Sequence, residues 1–424
     1  MLIRNCRIVG SQGVREGDIL VEGEKIVEVG RGLKGEGEVV DAGGRFVMPG
    51  VVDCHVHVRD WDEAEKEDFV SASSAAVAGG VTTFLEMPNT KPAVDSLDML
   101  KKRVKLGVEK SLVDFGIHLG YSPEIAEMQR IDVPSVKVYL DSLTGDDVES
   151  VLEDAGRLPY PLTVHCEDPR IIRRNIEFAR DSDPEDFLVH ADIREKLAET
   201  SAVKIAAGLA KKTCKNVHLC HLTVPSSLRY LNNYTTCEVT PHHLLLSDVD
   251  LQSQKGFAKT NPPLRPRLNV HGLWKAVKAG RVDVIASDHA PHGIEEKGGD
   301  VFSAPSGIPN LDVMLPLMLD VVNRGGLALT DIVRMMCENP SRIFNVPGKG
   351  FIQPGADADL VILDMERETE VDPKQFYSKA KYSPFTGRKI QGAVDTVILR
   401  GRVAFSEGDF NVRPGFGRYL YRQL

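Results

Sequence analysis

Short apolar runs recur between residues 51 and 345 and alternate with helix-like stretches. Strands are predicted at 51–56, 81–87, 113–119, 135–140, 161–165, 216–220, 235–239 and 282–287. The helix-like segments between them include 64–79, 95–109, 146–156, 192–211 and 268–279. Eight strands with intervening helices are typical of β/α units that close into a parallel barrel. We therefore predict an α/β fold, with a (β/α)8 barrel over residues 51–345.

Both ends of the chain have a different pattern, in which apolar pieces are separated by glycine and charged residues. The pieces are 2–9, 17–30 and 38–47 near the N-terminus and 358–364, 390–400 and 401–405 near the C-terminus. They predict short strands joined by tight turns. Because the two ends share this pattern, we expect residues 1–50 and 346–424 to form one small composite β-domain.

Composition narrows the range of partners and compartments. The 424 residues carry a net charge of −9, and the sequence pI is about 5.8. Because an acidic surface repels nucleic acid and acidic membranes, we expect neither as a partner and predict a small-molecule substrate. The sequence has no signal-peptide core and no apolar run long enough to span a bilayer. The 7 cysteines form no CxxC pair, which indicates reduced thiols in a cytoplasmic protein.

The candidate chemistry lies at the C-terminal ends of the apolar runs, where barrel enzymes build their active sites. His55 and His57 follow the first run and are separated by one residue. Because side chains alternate along a strand, both imidazoles can face one metal ion, while Cys54 would pack on the other side. The alternative is a pair of surface histidines on a loop, which the apolar strand leading into them disfavours.

Lys137 lies in the middle of the apolar strand 135–140. A buried ammonium group without a partner is costly, so this lysine should be neutralised, paired or modified. Reaction with carbon dioxide would give a carbamate that can bridge two metal ions. Alternatively, the stem packs while the charged head reaches solvent. The residue alone does not distinguish these readings, but the other candidate ligands favour the carbamate.

Three further residues complete a ligand set. His165 and His221 each follow an apolar run, and Asp288 follows the last one. Singly, a strand-end histidine is usually structural and an aspartate there often caps the next helix. We expect His218, three residues before His221, to be a core histidine. Four histidines, an aspartate and a lysine carbamate suit Zn²⁺, and two such ions can share a nucleophilic hydroxide.

The order of HxH, strand lysine, two histidines and aspartate resembles the cyclic amidohydrolases, which include dihydroorotases, hydantoinases and allantoinases. The segments 47–53 (VMPGVVD) and 350–361 (GFIQPGADADLV) are similar to that family's entry into the barrel and its return to the β-domain. The resemblance implies a distorted (β/α)8 barrel, a β-sandwich formed by the termini, and two zinc ions bridged by carboxylated Lys137 and hydroxide. Relatives often form oligomers, so a homo-oligomer is an open expectation.

Within this family, several segments are most similar to dihydroorotases. The resemblance assigns Arg59, Asn89 and His292 to a substrate carboxylate, with Arg59 on the same strand face as the histidines. An arginine can bind a carboxylate through two hydrogen bonds. It further assigns substrate contacts to His57, Asn261, Ser306 and Gly307. The chain departs from many relatives at residues 60–62 (DWD in place of EPG), and many dihydroorotases of this length have aspartate in place of Lys137.

The implied reaction is the reversible hydrolysis of (S)-dihydroorotate to N-carbamoyl-L-aspartate in pyrimidine synthesis, with Asp288 carrying the proton between water and the ring nitrogen. The nearest alternative is an allantoinase or a dihydropyrimidinase (hydantoinase), whose ring substrates carry no carboxylate. A catalytically silent scaffold protein is a second alternative, but it predicts damaged ligands and every expected ligand is present. Residues 140–146 are one candidate for a loop that covers the substrate.

Overall fold

The computed structural model describes residues 1–123, 125, 131–143 and 147–421. Residues 144–146 of the candidate covering loop therefore lie outside the described residues. In the described part of the chain, no helix is both long and apolar enough to cross a membrane.

One sheet of nine strands combines the two ends of the chain. Its strands are β1 Leu2–Gly10, β2 Gly13–Glu22, β3 Lys25–Gly30, β4 Val39–Asp41, β5 Phe46–Pro49, β15 Leu360–Glu370, β16 Lys389–Leu399, β17 Arg402–Ser406 and β18 Asp409–Phe410. The N-terminal and C-terminal parts join where β15 pairs antiparallel with β5, with Leu360 opposite Pro49. The predicted piece 17–30 is a hairpin, because Gly23 takes a positive φ of 58° between β2 and β3. The domain limits at residues 50 and 345 stay a prediction.

The middle of the chain forms the barrel from parallel strands. They are β6 Val51–Val56, β7 Val81–Glu86, β8 Asp114–Ile117, β9 Leu119–Gly120, β10 Val136–Tyr139, β11 Leu162–His165, β12 Val217–Leu219, β13 Thr235–Val239 and β14 Val284–Ile285. The sheet is interrupted at His118, so that β8 pairs with β7 while β9 pairs with β10. The barrel closes through a parallel bridge between Val56 of β6 and His289, which lies four residues beyond β14. The barrel is therefore closed but distorted.

Helices connect most barrel strands. They are α1 Phe69–Ala78, α2 Leu97–Lys110, α3 Val148–Arg157, α4 Pro169–Phe178, α5 Leu188–Ile193, α6 Lys196–Thr213, α7 Pro241–Leu245, α8 Asp248–Gln254, α9 Arg267–Lys278, α10 Ile294–Lys297, α11 Met314–Asn323, α12 Leu329–Val333 and α13 Asn339–Ile343. The predicted helix 64–79 begins later, because Asp68 accepts a hydrogen bond from Ser71 N (2.9 Å) and caps α1 there. The predicted helix 192–211 is divided between α5 and α6.

The barrel strands β6, β7 and β11 are buried at every position, as expected when helices cover the outside and side chains fill the inside. The chain passes from the terminal sheet to the barrel at Gly50. A Cβ atom there would lie 2.1 Å from Thr82 Oγ1, so only glycine fits this crossing. Parallel strands direct all their C-terminal ends to one face of the barrel, and the candidate site lies on that face.

Candidate metal centre and substrate cavity

A cavity of about 260 Å³ opens at the C-terminal ends of the barrel strands. It is lined by every predicted site residue except Lys137. The lining comprises His55, His57, Arg59, Asn89, Tyr139, Asp141, Ser142, His165, His221, Asn261, Asp288, Ala290, His292, Ser306 and Gly307. Asp141 and Ser142 belong to the candidate covering loop 140–146, whereas Tyr139 and Ala290 were not singled out from the sequence. The structure thus gathers side chains that are separated by up to 252 positions in the chain.

The four candidate histidine ligands lie in one cluster, and Asp288 lies beside two of them. His55 Nε2 and His57 Nε2 each lie 3.3 Å from Asp288 Oδ1. On the other side of the cluster, His165 Nδ1 lies 3.1 Å from His221 Nε2. The rings of His55 and His221 link the two pairs, with their centroids 5.1 Å apart. As the sequence predicted, His55 and His57 face the same side, although the strand β6 ends before His57.

Three of these histidines are held by a hydrogen bond at the nitrogen that faces away from the cluster. His55 Nδ1 lies 2.5 Å from Glu238 Oε1, and His57 Nδ1 lies 2.7 Å from Asn89 Oδ1. His165 Nε2 lies 2.8 Å from Glu167 Oε2. Metal-binding histidines are typically oriented in this way, because the outer hydrogen bond fixes the ring and raises the basicity of the inner nitrogen.

The distances between candidate ligand atoms in the cluster fit binding of a metal ion. Two ligand atoms at adjacent corners of a tetrahedron, each about 2.0–2.1 Å from Zn²⁺, lie about 3.3 Å apart. The two histidine–aspartate distances and the distance between His165 and His221 are close to this value. Burial lowers the pKa of His57 to about 4 and that of His221 well below its usual value, which keeps ring lone pairs available. The residues present therefore fit a metal-binding site.

Lys137 lies beneath the cavity in β10 and is 1% exposed. Its Nζ lies 2.8 Å from Cys220 Sγ, and it sits 5.0 Å from the centre of the Tyr139 ring. A lysine whose head reaches solvent requires an exposed Nζ, so that alternative is wrong for this side chain. The carbamate reading stays a prediction.

The Arg59 side chain lines the cavity as predicted, but its backbone does not lie in the strand to which it was assigned. The residue lies beyond the end of β6 and has a left-handed φ of 62°, so the expectation that it shares a strand face with the histidines is wrong. Between the end of β6 and Arg59, His57 N donates to His289 O (2.8 Å) where the barrel closes. The Arg59 guanidinium donates through Nε to Pro291 O (3.2 Å) and places Nη2 3.1 Å from His292 Nε2.

The other predicted substrate contacts flank this arginine. His292 Nε2 also lies 3.0 Å from Ser306 O, and a single ring nitrogen can serve only one of these two neighbours at a time. Burial and the nearby Arg59 charge lower the pKa of His292, which keeps the ring neutral. Asn261 Oδ1 is buried without a hydrogen-bond partner among the described residues. An unpaired buried acceptor lining a cavity is suited to a donor group on a ligand.

A buried lysine fixes the loop that carries Ser306 and Gly307. Lys297 Nζ donates to the carbonyl oxygens of Lys259 (3.2 Å), Pro305 (2.9 Å) and Gly307 (2.8 Å). Tyr382 Oη donates to Gly307 O as well (3.1 Å). These bonds satisfy the ammonium group and hold one wall of the cavity.

Glu238 is the most informative residue that the sequence analysis missed. It lies in β13, is fully buried, and accepts hydrogen bonds from His55 and from His218 Nε2 (3.0 Å). Cys54 Sγ donates to the same carboxylate (3.3 Å), so Cys54 packs behind the site as expected. His218 bonds Thr236 Oγ1 through its other nitrogen (2.9 Å), which agrees with its predicted place in the core. An acidic residue inside an apolar run was the available signal, as it was for Lys137.

A family model described as "Amidohydrolase family" matches residues 46–404. The chain belongs to the amidohydrolase family. One amidohydrolase relative is the dihydroorotase of Methanothermobacter thermautotrophicus, 39% identical over 431 residues that cover 99% of this chain and 96% of the relative. The L-hydantoinase of Paenarthrobacter aurescens is 32% identical over 450 residues, which cover 100% of this chain and 98% of the relative.

Solved structures of amidohydrolases share the fold. The L-hydantoinase (dihydropyrimidinase) of Arthrobacter aurescens matches with a TM-score of 0.94 at 32% identity, covering 99% of each chain. The fold is thus the hydantoinase-like combination of a TIM barrel and a β-sandwich built from both termini, which confirms the predicted fold class and the predicted family resemblance. The chain is a cyclic amidohydrolase with a buried histidine and aspartate cluster suited to a metal cofactor.

Proposed function

We propose that this cyclic amidohydrolase is a dihydroorotase, which catalyses the reversible hydrolysis of (S)-dihydroorotate to N-carbamoyl-L-aspartate. The observation that carries the proposal is Arg59, whose guanidinium lines the cavity next to His292. In a protein with a net charge of −9, a buried arginine beside the metal cluster is a local positive charge suited to an anionic substrate. The dihydroorotase relatives support the same choice.

The proposed cofactor is a pair of zinc ions held by His55, His57, His165, His221, Asp288 and a carboxylated Lys137. When bound, such ions supply Lewis-acid chemistry, because they lower the pKa of water to roughly 7 and polarise an amide carbonyl. Glu238, Asn89 and Glu167 keep the histidine rings directed at the cluster through the hydrogen bonds described above.

In the hydrolytic direction, water adds to the ring amide carbon and the bond from that carbon to the ring nitrogen breaks. Asp288 takes a proton from the attacking water and delivers it to the leaving nitrogen, and it carries the proton in the opposite direction during ring closure. Its carboxylate suits this task because it lies beside His55 and His57 at the cavity wall. Arg59, Asn89 and His292 hold the substrate carboxylate, and Asn261, Ser306 and Gly307 contact the ring, which fixes the amide over the cluster.

A hydantoinase activity is the second candidate, because the L-hydantoinase relatives match the whole chain in sequence and in structure. Hydantoins and dihydropyrimidines share the cyclic amide but lack the ring carboxylate. The two candidates therefore differ in whether Arg59 contributes to binding.

The test is a substrate panel on metal-replete protein: dihydroorotate, N-carbamoylaspartate, dihydrouracil, hydantoin and allantoin. We expect turnover of the first two alone. The variant Arg59→Ala should raise KM for dihydroorotate by about ten-fold or more, since a hydrogen bond to a charged group contributes about 1.5–3 kcal/mol. Turnover confined to the uncarboxylated rings, or unchanged dihydroorotate kinetics in Arg59→Ala, would overturn the proposal.

A further inference from the structure

The segment that carries Arg59 has an unusual backbone. Three consecutive residues, Arg59, Asp60 and Trp61, have positive φ angles of 62°, 52° and 50°. Residues other than glycine rarely adopt this conformation, and it persists only when the surroundings impose it. Something in the fold must therefore hold it.

Arg103 of α2 packs directly behind this segment. It is fully buried, and its Nη2 donates to the carbonyl oxygen of Arg59 (2.8 Å). Its guanidinium lies 4.6 Å from the centre of the Trp61 ring and 4.8 Å from that of Phe69, which are cation–π distances. One side chain thus contacts both ends of the left-handed segment.

Glu86, the last residue of β7, holds Arg103 in turn. Arg103 Nε donates to both carboxylate oxygens of Glu86 (3.1 and 3.0 Å), and Nη2 bonds Oε1 as well. Both side chains are fully buried, and Arg103 does not line the cavity. A buried ion pair contributes little net stability compared with well-packed apolar side chains, and in some proteins its role is to fix one conformation. Here the conformation it fixes is that of the backbone beneath Arg59.

We propose that Arg103, oriented by Glu86, is a positioning residue that sets the specificity of the cavity for a carboxylated substrate. It holds the Arg59 backbone in the left-handed conformation from which the guanidinium reaches Pro291 and His292. The inference rests on the proposed function, because it assumes that Arg59 binds the substrate carboxylate. It adds a residue that touches neither the substrate nor the metal cluster.

The test separates positioning from stability. The double variant R103M/E86L replaces the ion pair with apolar side chains of similar size and so keeps the core packed without a buried unpaired charge. R103K keeps the charge but lacks the planar fork of donors. R400M is the matched control, because Arg400 is another buried arginine that bonds a carboxylate (Asp114) and a backbone carbonyl and packs over an aromatic ring (both of Phe416), at the start of β8 and not at the C-terminal strand ends.

Each metal-replete variant is assayed for kcat and KM with dihydroorotate, together with its thermal midpoint. We expect R103M/E86L to raise KM by about ten-fold, as loss of a charge-assisted contact by Arg59 would, with kcat little changed. R103K should be intermediate, and R400M should lower the thermal midpoint without changing KM. Should the double variant fail to fold, R103K alone decides between these outcomes.

Unchanged KM in R103M/E86L and R103K would refute the positioning role, provided that Arg59→Ala raises KM. A lower kcat together with a lower thermal midpoint, at constant KM, would assign Arg103 a structural role only. This outcome would also refute the proposal. If Arg59→Ala leaves KM unchanged, the proposed function fails instead, so the two failures are distinguishable.

Discussion

Glu238 offers the sharpest test of the candidate metal centre, because it contacts three histidines, two of which (His55 and His221) are proposed ligands, without being a proposed ligand itself. Its Oε1 accepts from His55 Nδ1 (2.5 Å) and His221 N (3.2 Å), and its Oε2 accepts from His218 and Cys54. Burial alone would raise the pKa of this carboxyl, but His55 and His218 outweigh it and hold the pKa well below its usual value. A charged acceptor therefore stands behind the His55 ring.

The variant Glu238→Gln keeps the size of this side chain and removes its charge. The amide has one acceptor oxygen, so its NH2 group must face donors on one side of the residue. His55 then loses either its hydrogen bond or the negative charge that raises its basicity. Changes of this kind cost about 10–100-fold in metal affinity, which corresponds to about 1.4–2.7 kcal/mol.

The assay is zinc affinity, measured by competition between the metal-free protein and a chromophoric chelator. Glu199→Gln is the matched control, because Glu199 is equally buried and accepts from Thr223 N (2.9 Å) and Val224 N (2.9 Å) without touching a histidine. The control should lose stability and keep its zinc affinity. A change of less than about two-fold in Glu238→Gln, far below the usual outer-shell effect, would show that Glu238 does not orient a ligand.

Three further predictions concern other parts of the site. Asp288→Ala should lower kcat by about 10²–10⁴-fold with a much smaller change in substrate binding, and a KM effect alone would contradict its role as proton carrier. Lys137→Ala should lose metal, measured by elemental analysis, and should recover activity in part with short carboxylic acids; full metal content would argue against the carbamate. Lys297→Met removes a donor shared by three carbonyl groups; Gly307 O keeps Tyr382 Oη and Lys259 O keeps Gly307 N, but Pro305 O loses its bond, so KM should rise and the thermal midpoint should fall, whereas constant KM would mean that the loop keeps its position unaided.

Most of the barrel could be predicted from the sequence, because buried parallel strands are continuous apolar runs bounded by polar residues. The strands β6, β7 and β13 lie within one residue of their predicted ends, and the candidate ligands were chosen by the rule that barrel sites form at strand ends. The terminal sheet was predicted from apolar pieces that are separated by glycine and charged residues at both ends of the chain. Its strand order was not, since pairing between β5 and β15 depends on contacts between residues more than 300 positions apart.

The supporting residues of the site were harder to predict. Glu238, Arg103 and Lys297 act from behind the groups that face the cavity, and their partners lie on other elements. A single sequence does not state which elements will be adjacent. Arg59 illustrates the same limit, because its side chain was assigned to the cavity while its backbone was assigned to a strand that ends three residues earlier.

The pairing of β5 with β15 has a consequence for synthesis on the ribosome. β5 lies between β1, made first, and β15, which begins only at Leu360. Until that late segment emerges, β5 is an open strand edge beside the first barrel strand, available to pair with another chain. Contacts so distant in sequence form slowly and leave intermediates prone to association. The β5 edge of the nascent chain therefore stays exposed to pairing with other chains until β15 has been synthesised.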